Sequence, residues 1–188
     1  MEKHLIRLAG IAENSLVNGP GLRKVFFSQG CRHHCKNCFN PTTWTFDAGK
    51  MVDMDQLISQ VKNETFLDGV TFSGGDPFQQ PEAFAYLGKE IHKLGINIWI
   101  YTGYSWEQLM ILAKKFPSIQ TMIENCDAIV DGRYMEEYMD DYLKYRGSAN
   151  QRIINVPESL KQNKLVLHHF DDVKRPTDSD KKQNSFPI

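Results

Sequence analysis

Three cysteines lie close together in the sequence, where Cys31, Cys35 and Cys38 form a C-x3-C-x2-C pattern within one short loop. Thiolates at this spacing can surround one small inorganic core, because the loop wraps around it. Three thiolates leave one iron of a four-iron cubane without a protein ligand, and that iron can bind a substrate directly. The spacing therefore favours a reactive 4Fe–4S cluster over a cluster that only carries electrons.

A structural zinc site is the alternative interpretation of these cysteines. Zinc closes its tetrahedron with four ligands, commonly supplied as two separated pairs. His33 or His34 could complete a Cys3His set, but a histidine between two ligating cysteines would strain the loop, and no second pair follows. Otherwise we expect both histidines to be solvated. Cys126 lies far along the chain in the apolar-flanked run NCDAIV, which is typical of a small core residue.

Short strand patterns alternate with helical patterns along the chain. The predicted strands are residues 24–28, 69–73, 96–101 and 128–130, with one more candidate at 164–168, and the predicted helices begin after Asp53, near Pro81 and after Ser105. Strands separated by helices imply a parallel sheet with right-handed crossovers. Because there are fewer strands than the eight of a full barrel, we predict an α/β fold that is a curved, incomplete TIM-type barrel of parallel strands with outer helices.

Glycine-rich and polar clusters follow the predicted strands. The sequences GCRHHC, SGGDP, YTGY and VDGRY each stand at the C-terminal end of one strand. Parallel α/β folds place their active sites at that edge of the sheet. A need for glycine in turns would explain each cluster singly, but not why the cysteines share the same edge. We therefore expect the functional site there.

Composition and charge narrow the classes of function. The chain has 188 residues, of which 41% are hydrophobic, and a formal net charge of -1, so no bulk charge favours nucleic acid or an anionic membrane. No apolar run approaches the roughly 20 residues that span a bilayer, and the N-terminus lacks the apolar core of a signal peptide. We expect a cytoplasmic protein with reduced thiols. It should form one domain over residues 1–170, followed by a polar, mobile tail over residues 171–188.

The order of the motifs resembles the radical S-adenosylmethionine superfamily, in which the C-x3-C-x2-C loop follows a strand and a GGDP strand end comes later. Other elements narrow the resemblance to the activating proteins of anaerobic ribonucleoside-triphosphate reductases. Asn37 precedes the third cysteine and the aromatic Phe39 follows it, as in those activases. The further elements are VNGPG at 17–21, TW at 43–44, YTGY at 101–104, DGRY at 131–134 and RGSANQR at 146–152.

The resemblance implies metal ligands and cofactor contacts. The three cysteines would hold the cluster, and the amino and carboxylate groups of S-adenosylmethionine would chelate the remaining iron. The glycine pair lacks side chains, so its carbonyl groups could approach the ligand's ammonium group closely. The aspartate after it would either compensate charge or shape the turn. The implied contacts are Gly74, Gly75 and Asp76 at the strand end, and Asn37, Cys38 and Phe39 beside the adenine.

The resemblance also implies a reaction and its partners. A reduced flavodoxin-like donor would supply one electron, which breaks the sulfonium C5′–S bond and leaves methionine and a 5′-deoxyadenosyl radical. That radical would take a hydrogen atom from a glycine Cα in the reductase's catalytic subunit. No catalytic acid or base is expected, because the cluster and S-adenosylmethionine carry the chemistry. Residues 18–21 and 146–152 either contact that subunit or are simple turns. The alternative is a small-molecule enzyme such as a 7-carboxy-7-deazaguanine synthase, against which the YTGY and RGSANQR elements argue.

Overall fold

The computed structural model describes residues 4–172, and seven strands in this range form one open sheet. The strands are β1 (Leu5–Ser15), β2 (Arg23–Ser28), β3 (Lys50–Asp53), β4 (Gly69–Gly74), β5 (Asn97–Tyr101), β6 (Ala128–Asp131) and β7 (Arg152–Asn155). Their order across the sheet is β3-β1-β2-β4-β5-β6-β7. The helices are α1 (Met54–Asn63), α2 (Pro81–His92), α3 (Trp106–Ala113), α4 (Pro117–Glu124) and α5 (Val156–Gln162).

The sheet is mixed, with a parallel centre and antiparallel edges. Strands β2, β4, β5 and β6 run parallel to one another, whereas β1, β3 and β7 pair in the antiparallel sense. The predicted α/β class is confirmed, but the expectation of a sheet built of parallel strands is wrong at both edges. The candidate strand at 164–168 is also wrong, because this run contributes only an isolated bridge between Leu167 and Ile154.

The predicted helices begin at the expected caps. The Asp53 side chain accepts a hydrogen bond from the Asp55 backbone at the start of α1, and Ser105 and Gln108 form a complete capping box at α3. Helix α4 was not predicted, and Pro117 occupies its first turn, where the missing amide hydrogen is tolerated. No helix between residues 4 and 172 is long and apolar enough to cross a membrane.

The two faces of the sheet pack differently, because alternate residues of a strand point to opposite sides. All five helices contribute to a large apolar core on one face, which includes Leu57, Phe72, Phe84, Leu109, Ile123 and Val156. The other face carries a smaller group built on β5, β6 and β7, namely Trp99, Ala128, Val130 and Ile153, with Tyr101, Tyr145 and Phe170 packed against it. This second face leaves room for a site beside the strand ends.

Arg23 is a buried cation on this second face, where only 1% of the residue is exposed. Its guanidinium lies 5.6 Å from the centre of the Trp99 ring. Burial lowers the pKa of Arg23 to about 10, so the side chain stays charged at neutral pH. Arg23 therefore links β2, β4, β5 and the preceding turn. Its hydrogen-bond acceptors are Thr71 Oγ1 at 2.7 Å, Val70 O at 2.7 Å, Pro20 O at 3.1 Å and Asn97 O at 3.2 Å.

Arg23→Met is expected to lower the free energy of unfolding by about 3 kcal/mol or more, because the four acceptors of the Arg23 guanidinium would lose their charged donor together. Arg7→Met is the matched control, since among residues 4–172 the partly exposed Arg7 guanidinium donates only to the carbonyl groups of Asp47 and Ala48. The control should change the stability by no more than about 1 kcal/mol. Urea unfolding measures both. Equal losses in the two variants would contradict the structural role given to Arg23.

The expected boundary near residue 170 falls at the end of the described chain. Almost all of the predicted tail over 171–188 lies outside the described residues. Within them, the Asp172 carboxylate pairs with the Arg146 guanidinium at 2.9 Å and 3.1 Å. An ion pair therefore joins the segment after the Ile154–Leu167 bridge to the loop before β7.

Candidate metal centre

The cysteine loop leaves the parallel centre of the sheet, since Cys31 follows β2 after only two residues. The neighbouring strands β4 and β5 end in the SGGDP and YTGY sequences. All three strand ends line one cavity of about 730 Å³. The residues that meet there include Cys31, Cys35 and Cys38 from the loop, Gly74 and Gly75 from the end of β4, and Thr102 and Gly103 after β5.

The local backbone of the loop explains how its three thiols face the same cavity. His34 and Asn37 adopt the left-handed conformation, with φ of 48° and 52°, and both residue types tolerate it better than most. Between them the chain turns tightly, so that the Cys38 amide donates to the Cys35 carbonyl at 3.2 Å. The chain thus turns between the second and the third cysteine, and all three line the same cavity.

The thiols are unpaired and partly shielded from solvent. All four cysteines are free. Burial raises the pKa of the Cys31 thiol to about 11 and also raises the pKa of Cys35. The Cys38 sulfur accepts a hydrogen bond from the Asn40 amide at 3.4 Å. Because a thiol must lose its proton to bind a metal, metal binding here would release protons.

The donor set fits an iron–sulfur cluster. Soft thiolates are the ligands of such clusters, and a cubane offers a separate iron to each of them, so its ligands enclose a volume. Within residues 4–172, no three His, Cys, Asp or Glu side chains converge closely enough to hold a single metal ion. The ligands of a cubane need not converge in that way, because each binds a different iron. Trp44 also lines the cavity, and its buried indole nitrogen has no hydrogen-bond partner among the described residues. A buried donor of this kind marks a place suited to a polar or sulfur acceptor.

The glycine pair at the end of β4 lies directly against the start of the cysteine loop. Gly75 donates to the Ser28 carbonyl at 2.8 Å, and Asp76 donates to the Gly30 carbonyl at 2.9 Å. A Cβ atom on Gly75 would lie 2.4 Å from the Gly30 oxygen, and one on Gly74 would lie 2.6 Å from the Ser28 nitrogen. Glycine is therefore required for the close approach of two backbone segments beside the cavity.

The Asp76 carboxylate is fully buried and accepts from four groups of the protein. One oxygen accepts from the Phe78 amide at 2.9 Å. The other accepts from the Thr102 hydroxyl at 2.9 Å and the Gly103 amide at 3.0 Å, and lies 2.7 Å from His33 Nε2. These hydrogen bonds hold the turns that follow β2, β4 and β5 together, and Asp76 is not among the residues that line the cavity. Its role in charge compensation stays a prediction.

The two histidines of the loop differ in their surroundings. The expectation that both are solvated is wrong for His33, whose side chain is only 8% exposed and packs edge-on against Tyr104 at 4.7 Å. His34 is exposed and stacks on Trp44 at 4.8 Å. The partner of His33 lies 43 positions along the chain. No local pattern could therefore have identified it.

Cys38 and Phe39, two of the residues predicted to lie beside adenine, line the cavity, whereas Asn37 does not. Phe39 is 62% exposed and packs on Tyr134 at 4.7 Å. The Asn37 amide instead donates to the carboxylate of Glu136 on the exposed side of the loop. The fourth cysteine of the chain lies elsewhere, in the large apolar core, as predicted.

Two segments that were candidates for partner contacts are well-bonded turns at the same cavity. The Asn18 carbonyl accepts from the Thr71 hydroxyl at 2.7 Å. The Gln151 side chain accepts from the Gly147 amide at 2.9 Å and the Ser148 amide at 3.2 Å. Asn18, Gly147 and Gln151 also line the cavity, so these turns belong to the site as well as to the packing of the fold.

Leu16 lines the cavity although the sequence patterns did not single it out, and Val17, the first residue of the VNGPG element, lines it as well. They follow β1 and are 70% and 75% exposed. An apolar residue after a strand is a weak signal, because single exposed apolar residues are common on protein surfaces. Together with the exposed Phe39, Leu16 and Val17 give the cavity an exposed apolar part of its lining.

Comparison with known proteins identifies the family. The model of the 4Fe-4S single cluster domain matches residues 17–154. A protein of Vibrio cholerae is 35% identical over 73% of this chain and 90% of its own length. Proteins of Escherichia coli K12 and of Enterobacteria phage T4 are 32% and 33% identical, over 90% and 86% of their own lengths. All three are named anaerobic ribonucleoside-triphosphate reductase-activating protein. With its cysteine loop inside the matched 4Fe–4S domain, this chain belongs to the family of anaerobic ribonucleoside-triphosphate reductase-activating proteins.

Proposed function

We propose that this chain is a radical S-adenosylmethionine activase that generates a glycyl radical on an anaerobic ribonucleoside-triphosphate reductase. The observation that carries the proposal is the convergence of three free thiols with the glycine-rich ends of β4 and β5 at one cavity. The name shared by the relatives supplies the target protein. Three ligands leave one iron of a cubane free, which suits a cofactor that must bind a second molecule.

The chain's own residues would bind and orient, because the proposed chemistry needs no protein acid or base. When bound, the cluster would supply the one-electron reductive cleavage of S-adenosylmethionine to methionine and a 5′-deoxyadenosyl radical, with the electron from a flavodoxin-like donor, and that radical would take a hydrogen atom from a glycine Cα. Cys31, Cys35 and Cys38 would hold the cluster. The carbonyl groups near Gly74 and Gly75 would face the ammonium group of S-adenosylmethionine, and the loop that carries Asn37, Cys38 and Phe39 would contact the adenine.

The size and openness of the site agree with this assignment. Small-molecule sites commonly measure about 300–1,000 Å³, and the cavity of about 730 Å³ lies within that range. We also propose that the open sheet is part of a TIM-type barrel within one domain over residues 1–170. Its missing strands would leave a side through which a loop of the reductase reaches the cavity. The free thiols favour a reducing, cytoplasmic location.

An anaerobic activation assay tests the proposal. The reconstituted, chemically reduced protein is mixed with S-adenosylmethionine and the reductase catalytic subunit, and the glycyl radical is followed by electron paramagnetic resonance. We expect a radical signal together with methionine and 5′-deoxyadenosine. A reductase subunit whose radical glycine is replaced by alanine is the control and should give no signal. An intact cluster that yields no radical would contradict the activase assignment, and zinc in place of iron and sulfide would contradict the cluster.

A further inference from the structure

The cysteine loop is joined to the rest of the site by the side chain of His33. This residue stands between two of the predicted ligands, and its Nε2 lies 2.7 Å from Asp76 Oδ2. Both side chains are almost completely shielded from water, with exposures of 8% and 0%. Since a carboxylate oxygen accepts, the imidazole nitrogen donates. Hydrogen bonds to a charged group in such surroundings are stronger than exposed ones.

The imidazole of His33 has little freedom to move. The ring packs edge-on against Tyr104. A Cβ atom on Gly103 would lie 2.4 Å from its Cδ2 atom, so this position has room for the ring only because it is glycine. The Gly103 amide also donates to the oxygen that pairs with His33. One carboxylate therefore fixes both the ring and the turn that it packs against.

The main chain of the same residue acts on a predicted ligand. The backbone amides of His33 and His34 lie close to the Cys31 sulfur and interact with it. Amide groups directed at a ligand sulfur stabilise negative charge on a cluster and tune its reduction potential. Because Asp76 fixes the His33 side chain, it also fixes the position of the two backbone amides beside the Cys31 sulfur.

We infer that His33 is a positioning residue, which anchors the cysteine loop to the Asp76 carboxylate and so directs the backbone amides of His33 and His34 at the Cys31 ligand. The inference rests on the iron–sulfur part of the proposed function. It gives Asp76 a definite task, since three of its hydrogen-bond donors lie on the turns after β4 and β5 and the fourth lies on the loop between β2 and Pro41.

Two amide variants of different reach test the inference. His33→Gln keeps an N–H donor near the position of Nε2 and can still reach Asp76. His33→Asn has the same chemistry but is too short. His92→Asn is the matched control, because His92 is an exposed histidine in the last turn of α2 and is not among the residues that line the cavity. The readouts are the rate at which an iron chelator removes the reconstituted cluster, and the midpoint potential from titration followed by electron paramagnetic resonance.

We expect His33→Asn to lose iron about 10- to 100-fold faster than the unmodified protein and to have a more negative midpoint potential. His33→Gln and His92→Asn should both stay close to the unmodified protein. Equal behaviour of the Asn and Gln variants at residue 33 would overturn the inference, as would a chain that accepts no cluster. Neither readout uses S-adenosylmethionine or the reductase. Failure to form a glycyl radical would therefore contradict the proposed function and leave this inference standing.

Discussion

Cys35→Ala is expected to abolish the cluster and every reaction that depends on it. Two thiolates would leave two irons of a cubane without protein ligands, and the carbonyl of the middle cysteine closes the turn that leads to the third one. Loss of a group that merely supports a metal ligand already costs about 10- to 100-fold in affinity or activity. Loss of the ligand itself should therefore exceed about 100-fold. Iron and sulfide content after reconstitution and the glycyl radical signal measure it.

Cys126→Ala is the matched control for this substitution. Cys126 is a free cysteine that is only 3% exposed, and it packs in the large apolar core. Its replacement should lower the free energy of unfolding by about 1 kcal/mol through a small cavity and leave the iron content unchanged. A Cys35→Ala protein that retained a stable cluster, or a Cys126→Ala protein that lost it, would show that the ligands have been assigned wrongly.

Gly75→Ala is expected to have the second-largest effect, because the new methyl group meets backbone that cannot move aside. Its Cβ would lie 2.4 Å from the Gly30 oxygen. Overpacking of this kind costs about 1–3 kcal/mol of stability. Since displacements of about 1 Å can reduce a reaction about 100-fold, cleavage of S-adenosylmethionine should fall by that order. Urea unfolding and the rate of 5′-deoxyadenosine formation measure the two effects.

Gly10→Ala provides the comparison within the same sheet. Gly10 is in β1, and a Cβ atom added there would have no neighbour within 4 Å. We expect its stability to change by no more than about 0.5 kcal/mol and the cleavage rate to stay the same. If Gly75→Ala behaved like Gly10→Ala, the close approach of the two backbone segments would not matter for the site.

The centre of the fold could be predicted because its signals are local. The runs that became β2, β4, β5 and β6 are short and largely apolar, and each has a glycine at its last residue or within the next two. The capping box at Ser105 is complete within four residues of sequence. The cysteine spacing likewise lies within one loop. These features determine where the cavity lies, and they needed no knowledge of the strand order.

The edges and the connections within the site could not be predicted, because they depend on distant partners. Strands β3 and β7 have four residues each, which is too short for a clear alternation. The register of β1 against β2 is irregular, which obscures its pattern further. The contact between His33 and Asp76 joins two loops, and no sequence feature of either loop indicates its partner. Tertiary packing alone decides such pairings.

The lining of the cavity predicts an order of addition for the proposed small molecule and the proposed protein partner. The buried Cys31 and Thr102 line the cavity together with the strongly exposed Leu16, Val17 and Phe39. If the partner covers those exposed side chains, a small molecule seated against Gly75 would have to arrive before the partner and would leave only after it. In steady-state kinetics this corresponds to a compulsory-order mechanism. An excess of the protein partner would slow the exchange of the small molecule and inhibit turnover.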